Sequence, residues 1–194
     1  DQALELLTDI ARTRYVCLEL GLQSMDDGIL ERINRGHTLA DFVATVRRAA
    51  GRGMDICCHL IYGFPGETSQ AFIKTAGLVA ALDIDSVKLH QLHAVEGTEL
   101  AAMFREGKFI PVTLQDYVRT AADFLEHLPS RVAIQRLYGS SPLSIGVAPC
   151  WGLKNNQMWY AVINELIRRG SWQGRYFEAG QAQENTFLQR LAVL

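Results

Sequence analysis

The strongest constraint on how this chain folds is the two-faced character of its strand-like segments. In "VCLELGLQ", residues 16–23, Val16, Leu18, Leu20 and Leu22 fall on one side of a period-two pattern, and Cys17, Glu19, Gly21 and Gln23 fall on the other. In "MDICCHLIYG", residues 54–63, Ile56, Cys58, Leu60 and Tyr62 oppose Asp55, Cys57, His59, Ile61 and Gly63. In "SVKLHQLH", residues 86–93, Lys88, His90 and Leu92 alternate with Val87 and Leu89. Each segment has a mainly apolar face and a face that carries polar groups.

Helical spacing fills the intervals. Leu4, Leu7 and Ala11 suggest a first helix, and further helices fit 26–34, 39–52, 69–82, 98–106 and 114–127. A fourth strand fits 131–137, with helices at 156–169 and 183–194 around the loop "GSSPLSIG". This order predicts an α/β fold with a parallel sheet. A doubly wound sheet is covered by helices on both faces and favours apolar residues on each. A barrel packs helices outside and can turn polar inside, toward the C-terminal mouth. The expectation is therefore a partial TIM-like (β/α) barrel: an open parallel sheet of three to four strands with outer helices, plus a mostly helical C-terminal tail. So few strands cannot close, which leaves a bare edge at 15–23. The expected division is 1–138 for the barrel part and 139–194 for the extension. A start at Asp1, straight into a helix, reads as a piece of a longer product. Glu19, His59 and His90 either line the mouth or fill the barrel as satisfied polar groups.

Composition excludes several classes. A net charge of −2 and no basic run leave no electrostatic footprint for nucleic acid. The four cysteines, Cys17, Cys57, Cys58 and Cys150, fit neither a disulfide framework nor a paired zinc motif. Three lie in strand-like runs, where buried free thiols suit a reducing, cytoplasmic setting. No apolar run reaches membrane-spanning length.

Other residues have plainer roles. His90 and His93, three apart on one strand, are expected on opposite faces and so not at one metal. His37 reads as a turn residue, and Glu67 as a loop or helix-start residue. Trp151, Trp159 and Trp172 suggest core or interface packing. Arg131 and Arg136 are expected to make surface ion pairs. Lys88 lies away from its strand end, which disfavours a Schiff-base aldolase.

Three blocks, "LELGLQSMDDGILERINRGHT", "CCHLIYGFPGET" and "VKLHQLHAVEGTEL", together resemble the later half of a radical SAM domain. The resemblance covers about residues 1–138 and is nearest to YhcC-type proteins. The chain is also similar to the catalytic subunit of Elongator and, more distantly, to oxygen-independent coproporphyrinogen III oxidase. The resemblance implies an enzyme that cleaves S-adenosylmethionine at a [4Fe–4S] cluster and abstracts a substrate hydrogen. The C-x-x-x-C-x-x-C cluster motif is absent here, and adjacent Cys57 and Cys58 point to opposite strand faces. The cluster is thus expected on a missing N-terminal half, with a low-potential reductant such as flavodoxin or ferredoxin as a further partner.

The same resemblance assigns cofactor contacts. Gln23 would meet the amino-acid or ribose part, and Arg35 the methionyl carboxylate, which a guanidinium matches bidentately. Asp26, Asp27 and Glu31 stand close in sequence as simpler partners for Arg35. His59 replaces a ribose-binding aspartate, with Glu19 on the neighbouring strand. Ile61 would pack on adenine, Gly63 would allow close approach, and His90 would contact substrate. The Elongator likeness suggests tRNA and the oxidase likeness a small molecule. A non-catalytic small-molecule-binding or interaction domain without a cluster stays open beside the enzyme.

Overall fold

The computed structural model describes residues 2–82, 84–139 and 145–180 of the 194. The elements run α1 (Gln2–Ala11), β1 (Cys17–Gln23), α2 (Asp27–Arg32), α3 (Leu39–Ala49), β2 (Asp55–Tyr62), α4 (Ser69–Ala81) and β3 (Ser86–Gln91). They continue β4 (Ala94–Val95), α5 (Glu99–Arg105), α6 (Leu114–His127), β5 (Ala133–Arg136), β6 (Gly146–Ala148), α7 (Asn155–Arg168) and α8 (Arg175–Gly180). Strands β1, β2, β3 and β5 form one parallel sheet in that spatial order. It is an open sheet, and β1 lies at one edge, as the strand count required.

The aliphatic faces build the core. Leu22, Ile56, Cys58, Leu60, Val87 and Leu89 are buried in one cluster with Phe42 and Val46 of α3, Phe72 and Val79 of α4, and Tyr117 and Phe124 of α6. Each large apolar side chain so buried contributes about 1.5–3 kcal/mol relative to exposure. Leu4, Leu7 and Ala11 pack on this cluster from α1. Met158, Val162 and Leu166 join it from α7. Arg169, just after α7, pairs with Asp123, Glu126 and Glu165 and so ties α7 to α6. Threonine starts four helices: the hydroxyls of Thr38, Thr68, Thr98 and Thr113 accept from the backbone N–H groups of Asp41, Ala71, Ala101 and Asp116. Each such cap stabilises its helix by about 1 kcal/mol.

Two features differ from the sequence pattern. The third strand ends at Gln91 rather than His93. A small antiparallel pair, β4 with β6, was not legible in runs of two and three residues. Gly146, read as loop, opens β6, while 140–144 and the expected helix at 183–194 lie outside the described residues.

Candidate functional site

The polar faces meet across the sheet. Register sets Glu19 opposite Cys57, Gly21 opposite His59, and His59 opposite Lys88. Glu19 Oε2 lies 2.7 Å from His59 Nε2 and 2.6 Å from Lys88 Nζ. The Lys88 bond first, and the His59 bond second, hold the Glu19 carboxyl below the usual carboxylate range. Glu19 is 45% exposed, so water screens both pairs. The His59 ring stacks on His90, with centroids 5.8 Å apart. His90 Nε2 is buried and has no hydrogen-bond partner among the described residues. Burial first, then the charges of Arg136, His59 and Lys88, lower its pKa to about 4. The three strands therefore bring Glu19, His59 and His90 onto one face.

At the end of β1 the ladder slips between Gly21 and Gln23. Gln23 takes φ 68°, a conformation that costs a residue with a Cβ about 1–3 kcal/mol. The result is a convergence above Gly21. A Cβ on Gly21 would overlap both Gln23 Nε2 and Arg35 Nη2. Arg35 Nη2 donates to Gly21 O at 3.1 Å. Two of the three acidic residues near Arg35 are otherwise engaged. Asp26 caps α2 through Ile29 N at 3.1 Å, and Asp27 accepts from Leu39 N at 2.7 Å. Among the described residues, Arg35 has no carboxylate partner.

A cavity of about 400 Å³ opens beside this point. Gln23, His59, Ile61, His90, Gln91, Leu92 and His93 line it, so Ile61 supplies an apolar wall. Gly63 has φ 107°, which only glycine adopts readily. A Cβ there would meet Val112 and Leu92. The Gly63 N–H donates to Glu67 Oε2 at 2.9 Å, and Ser24 Oγ reaches Glu67 Oε1 at 3.4 Å. Glu67 thus ties the end of β1 to the end of β2. Burial pushes its carboxyl up to about 7, against the pull of these bonds.

Several expectations are corrected. His93 lies beyond the end of β3, so strand alternation does not separate it from His90; both line the cavity. His37 lies outside any helix or strand, as expected; it also lines a cavity with Arg35, and its buried Nε2 has no partner among the described residues. Arg131 adds to its other contacts hydrogen bonds to the backbone oxygens of Ala80 and Ile84, in and just after α4. Arg136 makes no ion pair among the described residues. Trp151 packs on Tyr117 and Tyr138 and Trp159 on the core, but Trp172 is 56% exposed against Arg175.

Gln91 was missed. It shares a face with Val87 and Leu89, and an amide among aliphatics at period two was the available signal. It is buried, donates to Gly139 O at 2.7 Å and accepts from Gly139 N at 3.1 Å. Its Nε2 also lies 2.7 Å from His93 Nε2. Gly139 in turn lies under His90: a Cβ there would sit 2.5 Å from Nδ1.

Among the described residues, no three His, Cys, Asp or Glu side chains come together as metal ligands. No helix of the described residues is long and apolar enough to cross a membrane. The family model of the Radical SAM superfamily matches residues 1–79, and that of the Radical_SAM C-terminal domain matches residues 84–168. YtqA of Bacillus subtilis is 32% identical over 178 residues, which cover 92% of this chain and 55% of that protein. YhcC of Escherichia coli is 38% identical over 152 residues, which cover 78% of this chain and 49% of that protein. The chain thus spans about half the length of these curated relatives. The structure of archaeal Elp3 from Methanocaldococcus infernus superimposes with a TM-score of 0.74 at 23% identity, over 87% of this chain and 40% of that one. Its fold is therefore shared, and the two family matches, end to end along residues 1–168, place the chain in the radical SAM superfamily.

Proposed function

We propose that this chain supplies the later barrel strands of a radical SAM enzyme, with part of the S-adenosylmethionine site and part of the substrate mouth. One observation carries the reading: Gln23 and Arg35 converge over Gly21, and Arg35 has no carboxylate partner among the described residues. A guanidinium held open in this way matches a carboxylate through two parallel hydrogen bonds. Arg35 would take the methionyl carboxylate and Gln23 the adjoining polar atoms. Ile61 offers its apolar surface to the adenine.

The ribose end has different chemistry from the relative that carries an aspartate on β2. His59 stands there, and its Nε2 is engaged by Glu19. The carboxylate has in effect moved one strand over. Both His59 and Lys88 use Glu19 Oε2, which leaves Oε1 to accept from a ribose hydroxyl. When bound, S-adenosylmethionine and a reduced [4Fe–4S] cluster would supply radical chemistry for abstraction of a substrate hydrogen. The cluster's ligands belong to a part of the enzyme outside this chain. The chain's own task is to bind and to orient the cofactor and the substrate. The expected setting is cytoplasmic, with a flavodoxin or ferredoxin as electron donor.

The test uses the full-length protein with its cluster reconstituted anaerobically. Reductive formation of 5′-deoxyadenosine supports the reading. A full-length protein that holds a cluster yet neither binds nor cleaves S-adenosylmethionine overturns it.

A further inference from the structure

The cavity at the ends of β2 and β3 has more donors than the cofactor reading uses. Gly139 presents Gln91 with one acceptor and one donor, its O and its N. That fixes the amide: Nε2 faces the carbonyl and Oε1 faces the N–H, because the reverse would set like groups together. The second Nε2 hydrogen then points at His93 Nε2, 2.7 Å away. His93 Nε2 must accept, so the ring proton sits on Nδ1. Nδ1–H has no partner among the described residues and is not sealed from solvent. His93 is therefore a neutral donor of fixed tautomer in a cavity wall.

Charge points the same way. The described residues lining the cavity include no carboxylate. Lys88 and Arg136 pair in register on β3 and β5, and Lys88 shares its face with His90. Glu19, the carboxylate next to them, already serves Lys88 and His59. Arg136 is left without an ion pair among the described residues. Positive charge that reaches His90 in the cavity wall, with no ion pair to Arg136 among the described residues, and a directed N–H in the same wall suit a bound oxyanion.

We propose that this cavity receives an oxyanion group of the substrate, a phosphate or a carboxylate, held by His93 Nδ1–H and drawn in by Arg136. The inference rests on the reading of this face as cofactor site and substrate mouth, and narrows the substrate class to anionic molecules. The Arg35 end takes the cofactor's carboxylate; the His93 end takes the substrate's anion.

The experiment is calorimetric titration of the full-length protein with inorganic phosphate, with acetate and, as neutral control, with glycerol. Saturable binding of phosphate or acetate but not glycerol is expected. Phosphate alone assigns a phosphate ester, and acetate alone a carboxylate. Arg136→Gln should weaken binding about threefold or more, the scale of an exposed charge contact. His93→Leu should abolish it. His93→Asn, whose side-chain N–H takes the place of Nδ1–H, should retain it. Arg35→Ala should lose S-adenosylmethionine affinity and leave the anion response unchanged, which separates this proposal from the cofactor reading. Absence of saturable binding overturns it. Equal binding by wild type, Arg136→Gln and His93→Leu means an adventitious ion only, and also overturns it. Should His93→Leu fail to fold, the exposed Arg136→Gln variant still decides.

Discussion

Arg35 reaches back fourteen residues to give an Nη2 hydrogen to the carbonyl oxygen of Gly21, 3.1 Å away. Among the described residues, this neutral acceptor holds the guanidinium in place and no carboxylate neutralises its charge. In the full-length protein, Arg35→Ala should lose a charge-assisted bond worth about 1.5–3 kcal/mol. That corresponds to about tenfold or more in S-adenosylmethionine affinity. Equilibrium binding on protein with intact cluster content checks it.

Gly21→Ala tests the convergence without replacing either polar side chain. The added methyl would overlap the far ends of Gln23 and Arg35, both of which can swing away. Stability should change by no more than about 0.5 kcal/mol, as for a surface substitution. Cofactor affinity should fall about as far as in Arg35→Ala. Denaturant unfolding beside a binding titration separates the two effects.

Glu67 and His90 should give opposed pH dependences. Glu67 has its folded pKa raised from the usual 4.5 to about 7, so the folded state holds its proton longer and stability falls as pH rises between those values. His90 has its folded pKa lowered from 6.5 to about 4, so the unfolded state binds more protons and stability rises with pH across that window. Each slope is at most about 1.4 kcal/mol per pH unit. Glu67→Gln should therefore steepen the rise of the urea midpoint between about pH 4.5 and 6.5, and His90→Asn should turn it toward a fall. Parallel curves for both variants and wild type would refute the assignment.

Anaerobic reconstitution of this chain alone with iron and sulfide should yield no stable four-iron cluster. Cys57 and Cys58 are buried on adjacent, oppositely directed positions of β2, and burial pushes both thiols up, against thiolate formation. Visible absorbance and iron stoichiometry on the monomer provide the check.

Much of this was legible because period two reports strand faces directly. Glu19, His59 and His90 were read onto one face from alternation alone, and the register brings them together. What alternation cannot carry is the place where a strand stops. His93 was misassigned because β3 ends two residues before it. Gln23 kept its place near the mouth through a slipped register and a positive φ, which no side-chain pattern announces. Glu67 shows a different limit. The sequence marked it as a loop residue, and it does hold a loop, but burial of its carboxyl comes from chain segments far apart in sequence. Gln91 depended on Gly139, forty-eight residues on, for its meaning.

The parallel sheet has its strands in chain order, β1, β2, β3 and then β5. Each new strand closes a helical crossover against the strand before it, and loop-closure entropy grows only with the logarithm of the crossover's length. Such a sheet can be laid down one strand at a time as the polypeptide leaves the ribosome, each edge serving as template for the next. The mouth is then assembled in the same sequence: the Gln23 and Arg35 end with β1, the His59 wall with β2, and the His90 and His93 end last.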